Sequence, residues 1–267
     1  MNFLGIKKMF SFADIKIINF FIYIRKMNNL AIIGYGKMGK AIEKLACNYG
    51  FEVCSIIDTA LNNKITPQHL NNADVAVEFT QPDSAANNIM TLFDAGINVV
   101  SGTTGWNAEY QKVADYCKKL GSGFFYASNF SVGMNIVFQL NKQLATMLDK
   151  VEGYKVSISE THHTQKLDKP SGTAVTLAND FLNHSKKYSK WKLEPTNIKD
   201  GFLPIFSKRE GNVTGLHIVN AKSEYDLITL QHEAFNRNGF TTGVLMACNF
   251  ILNKKGIYNM NNLLGLE

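Results

Sequence analysis

The chain has 267 residues, 45% of them hydrophobic and 19% charged, which is the composition of a soluble globular protein with one large or two medium domains. Its net charge is +6, but acidic and basic residues are interspersed, and this distribution argues against a nucleic-acid-binding protein. The surplus of positive charge instead fits a protein whose small substrates are anions.

The first 26 residues differ in character from the rest of the chain. Residues 15–26 form an apolar run that is shorter than the roughly 20 residues needed to span a bilayer. Arg25 and Lys26 stand at the end of this run, whereas the positive charges of a signal peptide precede its apolar segment. We therefore expect residues 1–26 to be an extension outside the fold, with the functional protein beginning near Met27. A membrane anchor is the alternative, and we predict no membrane partner.

Beyond Met27, short apolar runs alternate with segments of helical periodicity. Strands are predicted at residues 29–33, 51–57, 74–79, 97–101 and 124–127. Helices are predicted after three of these strands, at residues 38–45, 82–94 and 108–119. Strands that alternate with helices imply right-handed crossovers and a parallel sheet. We therefore predict an α/β fold with a Rossmann-like, doubly wound parallel sheet.

The sequence pattern changes after residue 129. A long helix is predicted at residues 134–148. Strands with alternating apolar and polar residues are predicted at residues 154–160, 215–221 and 225–233. These elements predict a second, α+β domain built on a mixed sheet with one exposed face. A last helix, residues 239–253, is expected to return to the first domain, so the predicted domains are residues 27–129 with 238–267, and residues 130–237.

A glycine-rich turn lies between the first predicted strand and the first predicted helix. Its sequence, GYGKMG at residues 34–39, matches the dinucleotide-binding fingerprint. The three glycines permit the tight turn, the approach of a pyrophosphate to the backbone, and the packing of the helix on the strand. Asp58 ends the second strand, where a carboxylate can accept hydrogen bonds from both ribose hydroxyls. The predicted cofactor contacts here are Gly34, Tyr35, Gly36, Lys37, Met38, Gly39 and Asp58.

Two further strands of the predicted parallel sheet end in polar turns. Phe79 and Thr80 follow the third strand, and Gly102, Thr103 and Thr104 follow the fourth. Ligands of open α/β sheets bind at the carboxyl ends of the strands. We therefore predict that these residues contact the nicotinamide end of a dinucleotide.

Residues 157–174, SISETHHTQKLDKPSGTA, combine two imidazoles, an ammonium group and a glycine turn. In a continuous strand, His162 and His163 would point to opposite faces and could not share one role. If the chain instead bends helically after Thr161, His162 and Lys166 fall on one side. Ser171 or Thr173 would cap the next helix, and its first N–H groups would form an anion-binding seat. Surface histidines before a capped helix are the structural alternative.

Metal binding is not predicted. The sequence has no HExxH motif, and no cysteine lies near the histidine pair. The cysteines stand singly, which predicts buried free thiols in a reducing, cytoplasmic compartment.

Five motifs give the chain a resemblance to a known family. They are GYGKMG (residues 34–39), EFTQP (78–82), SGTTGW (101–106), ASNFSVGMN (127–135) and ETHHTQKLDKPSGTA (160–174). From Met27 onward the chain resembles the 4-hydroxy-tetrahydrodipicolinate reductases, also called dihydrodipicolinate reductases. The resemblance implies a cytoplasmic homotetramer of lysine and diaminopimelate biosynthesis. It also implies the reduction of a cyclic hydroxy-dicarboxylate with NADH or NADPH.

The resemblance also implies roles for individual residues. His162 would be the proton donor and acceptor, with Lys166 as its partner. The implied substrate contacts are His163, Lys166, Gly172 and Thr173. The implied cofactor contacts, besides Gly102 to Thr104, are Ala127, Ser128, Asn129 and Phe130. Residues 130–237 would bind the substrate and form the tetramer contacts.

The chemistry of the residues agrees with a reductase. An ordinary histidine pKa of about 6.5 suits proton exchange at neutral pH. Asp58 would repel a 2′-phosphate, and no arginine follows it in TALNNK, so NADH is favoured over NADPH. The alternatives are another NAD-dependent dehydrogenase of amino acids or sugars, and a dinucleotide-sensing protein without turnover.

Overall fold

The computed structural model describes residues 27–58, 64–197 and 199–266. The predicted extension, residues 1–26, lies outside the described residues. Residues 59–63, which belong to the TALNNK stretch after Asp58, lie outside them as well. The strands are β1 (Asn28–Ile33), β2 (Phe51–Ile57), β3 (Val75–Glu78), β4 (Asn98–Ser101), β5 (Gly123–Tyr126), β6 (Lys155–His162), β7 (Lys190–Leu193), β8 (Phe202–Arg209), β9 (Gly215–Lys222), β10 (Leu227–Ala234) and β11 (Gly256–Tyr258). The helices are α1 (Lys37–Ala46), α2 (Pro67–Leu70), α3 (Pro82–Asp94), α4 (Tyr110–Leu120), α5 (Val132–Asp149), α6 (Gly172–His184), α7 (Asn238–Ile251) and α8 (Met260–Leu264).

The first sheet has six strands in the order β11-β5-β4-β3-β1-β2, and every pair is parallel. Alternate residues of its strands serve two cores. Leu30 and Ile32 pack with α1 and α7 on one face, whereas Ala31 and Ile33 pack with α3 and α4 on the other. Both faces are covered, which explains why these strands are continuously apolar. The predicted doubly wound parallel sheet is confirmed.

The second sheet has five strands in the order β10-β9-β6-β8-β7. It is mixed, because β6 is antiparallel to β9 but parallel to β8. Helices α5 and α6 cover one face, and the core between them and the sheet includes Ile158, Leu177 and Val219. The other face is only partly covered, as the alternating burial of β6 and β9 indicates. The predicted mixed sheet is confirmed.

Two strands of the second sheet were not predicted. These are β7 and β8, which are parallel to each other. Pro204 interrupts the apolar run of β8, and a proline inside such a run weakens a strand prediction. The parallel pairing of β6 with β8 joins distant parts of the chain, so no local turn signal marks it.

The C-terminal segment returns to the first sheet, and Asn98 attaches it there. Helix α7 packs against that sheet, and β11 pairs with β5. The Asn98 amide Nδ2 donates to the carbonyl oxygens of Ile251 (2.7 Å) and Lys254 (3.1 Å), and its Oδ1 accepts from the N–H of Gly123 at 2.7 Å. One side chain therefore satisfies backbone groups on both sides of the junction.

Two smaller expectations have mixed outcomes. All four cysteines are free, and Cys117 and Cys248 are buried. Cys47 is exposed and Cys54 is only partly buried, so the prediction of buried thiols is wrong for these two residues. Within the described part of the chain, no helix has both the length and the apolarity required to cross a membrane.

Replacing Asn98 with alanine is expected to destabilise the fold by about 1–3 kcal/mol, because the change leaves half-buried backbone groups without partners. Urea unfolding followed by circular dichroism measures the effect. The exposed Asn107→Ala serves as the matched control and should change the free energy of unfolding by less than about 0.5 kcal/mol. Equal stabilities of the two variants would contradict the role of Asn98.

Candidate active site

The glycine turn after β1 is built for close packing. Gly34 has φ +92°, and a Cβ there would lie 2.2 Å from the carbonyl oxygen of Phe79. A Cβ on Gly39 would lie 2.4 Å from the carbonyl oxygen of Gly34. Only glycine fits at these two positions, so the turn is tight and α1 begins directly against it.

A cavity of about 500 Å³, here called the turn cavity, opens beside this turn. Asp58 stands on its wall, and one carboxylate oxygen of Asp58 accepts a hydrogen bond from the backbone N–H of Tyr35 at 2.5 Å. Lys64 and Asn88 also line it. The cavity therefore combines the free N-terminus of α1 with a fixed carboxylate, which is the arrangement that holds a pyrophosphate and a ribose.

A buried carboxylate, that of Glu78, joins the two polar turns at the ends of β3 and β4. Glu78 is fully buried, and its oxygens accept hydrogen bonds from the hydroxyls of Thr80, Ser101 (2.7 Å) and Thr103 (3.0 Å). The N–H of Thr80 donates to it as well, at 3.1 Å. The sequence analysis gave Glu78 no role, although a charged residue at the end of a fully buried strand is a signal for one.

A second cavity of about 570 Å³, here called the imidazole cavity, lies between the two sheets. Phe79 lines both cavities, so they adjoin. From the first sheet and its loops the predicted residues Met38, Gly102, Thr104, Ser128, Asn129 and Phe130 line the imidazole cavity. From the second sheet and its loops His162, His163, Lys166, Thr173, His217 and His232 line it.

Most of the predicted site residues thus lie in one continuous groove. The predicted residues that line the turn cavity are Gly34, Tyr35, Gly36, Asp58, Phe79 and Thr80. Five predicted residues line neither cavity in this structure, namely Lys37, Gly39, Thr103, Ala127 and Gly172. Thr103 turns inward to Glu78, Lys37 and Gly172 are exposed at the starts of α1 and α6, and Ala127 lines a smaller neighbouring cavity.

Strand β6 brings the histidine pair to the cavity. The strand continues through His162, so the alternative of a helical bend after Thr161 is wrong. The N–H of Lys166 donates to the carbonyl oxygen of His163 at 3.1 Å, and this turn directs Lys166 back to the same cavity. The strict alternation of a strand stops at His162. Both histidines therefore line one cavity, and the expectation that they have different roles stays a prediction.

The loop that carries Lys166 is fixed at several points. Arg209 donates from Nε to the carbonyl oxygen of Lys166 at 3.2 Å and from Nη2 to the carbonyl oxygen of Asp168. The Lys166 ammonium lies 2.7 Å from a carboxylate oxygen of Asp168. Ser171 caps α6 by accepting from the N–H of Ala174, as one of the two predicted caps. An incoming carboxylate would compete with Asp168 for the ammonium.

His162 belongs to a buried polar cluster that the sequence analysis missed. Its Nε2 lies 3.2 Å from Nε2 of His217, and both nitrogens lie 3.6 Å from a carboxylate oxygen of Glu160. Glu160 is 2% exposed and accepts from the Ser171 N–H (3.0 Å), the Ser207 hydroxyl (2.8 Å) and the Arg209 guanidinium (3.3 Å). The signal for Glu160 was its place among the inward-facing residues of β6.

Burial and hydrogen bonding set the protonation of this cluster. Burial acts to raise the pKa of Glu160, but hydrogen bonds from His217, Ser171 and Ser207 outweigh it and hold the pKa well below its usual range. Burial lowers the pKa of His162 to about 4; His217 adds to this shift and Glu160 opposes it. The ordinary histidine pKa assumed from the sequence is therefore wrong for the free protein, where His162 is neutral at pH 7.

The donor atoms of Glu160, His162 and His217 lie within 4.8 Å of one another, close enough in principle for a cation. However, the Arg209 guanidinium already binds Glu160, and its positive charge opposes a metal ion there. We assign the cluster as a hydrogen-bonded network.

Comparison with known proteins gives a consistent result along the whole described chain. The family description "Dihydrodipicolinate reductase, N-terminus" matches residues 28–130, and "Dihydrodipicolinate reductase, C-terminus" matches residues 133–264. The chain is 43% identical over 238 residues to the 4-hydroxy-tetrahydrodipicolinate reductase of Christiangramia forsetii, which covers 88% of this chain and 97% of that protein. It is 34% identical over 203 residues to the enzyme of the same name from Methanopyrus kandleri, with 74% of each chain covered.

A solved structure shares the fold. The dipicolinate-bound dihydrodipicolinate reductase from Paenisporosarcina sp. TG-14 superposes with a TM-score of 0.70 at 24% sequence identity, covering 87% of this chain and 97% of that one.

The pKa of His162 can be tested by NMR titration of the free protein. The His162 imidazole signal, identified by its loss in His162→Asn, should titrate with a midpoint of about 4. Because the unfolded chain takes up this proton near pH 6.5, His162 should also lower the free energy of unfolding as the pH falls from about 6.5 towards 4. His184→Asn, outside the cavity, should leave the signal unchanged. A midpoint near 6.5 would refute the assigned burial effect.

Proposed function

The chain belongs to the dihydrodipicolinate reductase family, and from this premise we propose that it reduces 4-hydroxy-tetrahydrodipicolinate to tetrahydrodipicolinate with NAD(P)H, in lysine and diaminopimelate biosynthesis. One observation carries the proposal to this chain. The imidazole cavity places the ends of the parallel strands, where a nicotinamide would lie, opposite His162, His163 and Lys166. This is the juxtaposition that hydride transfer to a dicarboxylate requires.

The overall reaction follows from the difference between substrate and product. 4-Hydroxy-tetrahydrodipicolinate loses its 4-hydroxyl as water and gains one hydride and one proton, and the product is tetrahydrodipicolinate. NAD(P)H, when bound, supplies the hydride. The residues present fit this cofactor, because a Cβ on Gly36 would meet no protein atom within 4 Å, which leaves the start of α1 open to a pyrophosphate, and Asp58 offers a fixed acceptor for a ribose.

The second sheet supplies groups for the dicarboxylate. Lys166 is the ammonium group that lines the imidazole cavity on that side, and Thr173 lies there in the first turn of α6. We assign these two residues, with His163 and Gly172, to the substrate carboxylates. The relative from Paenisporosarcina sp. TG-14 is described with dipicolinate bound, and dipicolinate is itself a cyclic dicarboxylate.

His162 is assigned as the residue that exchanges the proton. In the free protein it is neutral, because burial disfavours the imidazolium. A bound dicarboxylate brings negative charge into the cavity, and a nearby opposite charge raises the pKa of an imidazole. Substrate binding would therefore load His162 with the proton that the reduced product needs.

The assembly is proposed from the uncovered face of the second sheet. On that face, strands β8 and β10 expose the large apolar side chains of Phe206 and Leu227. An exposed apolar sheet face of this kind fits the contacts of the proposed homotetramer. Residues 130–237 would then bind the substrate and hold the subunits together, and residues 27–129 with 238–267 would bind the dinucleotide. A biosynthetic enzyme with free thiols fits the cytoplasm.

Steady-state kinetics with 4-hydroxy-tetrahydrodipicolinate test the proposal. His162→Ala should lower kcat by about 10² to 10⁴, the usual range for loss of a general acid, and Lys166→Ala should lower kcat as well. His163→Ala should act mainly on KM, because it removes a ground-state contact to a carboxylate. NADH affinity, measured by fluorescence, should be unchanged in all three. Absence of turnover by the unmodified protein would refute the function, and near-normal kcat in His162→Ala would refute the proton role.

The cofactor preference is expected to lean to NADH. Asp58 faces the turn cavity and would repel a 2′-phosphate while it accepts a hydrogen bond from a 2′-hydroxyl. Lys64 lines the same cavity and is the nearby cation that could offset this repulsion. Comparison of kcat/KM for NADH and NADPH decides the point, and Lys64→Ala should strengthen the NADH preference. A clear NADPH preference of the unmodified protein would contradict the expectation.

A further inference from the structure

We propose that His217 and His162 act as one proton-holding pair in the catalytic step, and that Glu160 is the fixed counter-charge of this pair. The inference rests on the proposed function and extends it to two residues to which no role has been given. His217 lines the imidazole cavity beside His162, on the neighbouring strand β9.

The hydrogen-bond partners fix which nitrogens carry protons in the resting pair. Nδ1 of His162 lies 3.1 Å from the carbonyl oxygen of Thr214, and a carbonyl can only accept, so this nitrogen carries a hydrogen. Nε2 of His162 is then an acceptor. Nε2 of His217 lies 3.2 Å from that acceptor and 3.6 Å from Oε2 of Glu160, so Nε2 is the nitrogen of His217 that carries a hydrogen. This hydrogen lies between two acceptors, Nε2 of His162 and the carboxylate of Glu160.

The two rings are too close to be charged together. Like charges at this separation disfavour each other, so a proton held on one ring disfavours a second proton on the other. The hydroxyl oxygen of Ser171 lies 3.3 Å from Nε2 of His217 and can accept from it, which adds a neutral contact to the pair. The charged or titratable groups that contact the pair or line its cavity are Glu160, His163, Lys166, Asp168, Arg209, His232 and Arg237.

Glu160 can balance the positive charge of that proton, because its carboxylate is held in place by hydrogen bonds and stays ionised. Its carboxylate oxygen Oε2 lies 3.6 Å from Nε2 of both rings, and it accepts from donors on β8 and at the start of α6. Lys166 is engaged with Asp168 and Arg209 with Glu160, and the exposed Arg237 also lines the cavity. A proton on the pair is therefore placed at equal distance from one fixed negative charge.

The proton balance of the step is simple. The hydride and its electron pair pass from NAD(P)H to the substrate ring, and the atom left negative forms a new bond to hydrogen. The N–H bond that breaks belongs to the charged pair, which returns to its neutral state and takes the next proton from water. His217 serves as a positioning residue that shares the proton with His162.

The experiment compares His217→Asn, Glu160→Gln and the control His184→Asn, which changes a histidine outside the cavity. We expect His217→Asn to lower kcat at least tenfold, with the KM for both substrates changed by less than about threefold. Glu160→Gln should move the alkaline limb of the kcat–pH profile to lower pH by about one unit, because the charged pair loses its counter-charge. His184→Asn should match the unmodified protein.

NMR titration of the same variants separates this inference from the proposed function, since it needs no turnover. His217→Asn should raise the His162 midpoint above that of the unmodified protein, because no second imidazole then competes for the proton. NADH fluorescence titration checks that each variant is folded.

A kcat of His217→Asn within twofold of normal, a parallel loss of NADH binding, or an unchanged His162 midpoint would each overturn the proposal. If the unmodified protein lacks turnover, the proposed function fails, and the NMR result alone decides whether the pair exists.

Discussion

The buried carboxylate of Glu160 is the constraint on which the substrate side of the cavity depends. A buried charge is costly unless it is paired and hydrogen-bonded. Here the donors come from separate elements: Ser171 at the start of α6, Ser207 and Arg209 on β8, and His217 on β9. The carboxylate is satisfied only when these elements are packed in one arrangement. A single side chain on β6 thereby fixes where the imidazoles and the helix start lie.

The first sheet uses the same device on the cofactor side. Glu78, at the end of β3, accepts from groups on two loops, among them Thr80 and Thr103. Phe79, which follows it directly, lines both cavities. A buried polar network in which every member has a partner is rigid, and rigidity holds reacting groups in place. Each half of the groove is therefore organised around one carboxylate near the carboxyl end of a central strand.

Several charges in and around the free cavity are already paired before any ligand enters. Lys166 is paired with Asp168, Arg209 is paired with Glu160, and His162 is neutral. A dicarboxylate can change this balance in two ways, by competing with Asp168 and by favouring a protonated imidazole. The negative charge of the dicarboxylate would then serve both its binding to Lys166 and the protonation of His162.

The sequence by itself determined the local features. The glycine turn and five of the six strands of the parallel sheet were predicted, and Ser171 was one of two residues predicted to cap α6, because each feature depends on neighbours a few residues away. Many residues of the groove were predicted from the resemblance to the reductase family. Tertiary structure decided the rest. Strand β8 pairs with β6 across a long connection, and His217 meets His162 from 55 residues away. Burial, which no local pattern specifies, holds His162 neutral; the state of the central imidazole was therefore set by packing and not by its motif.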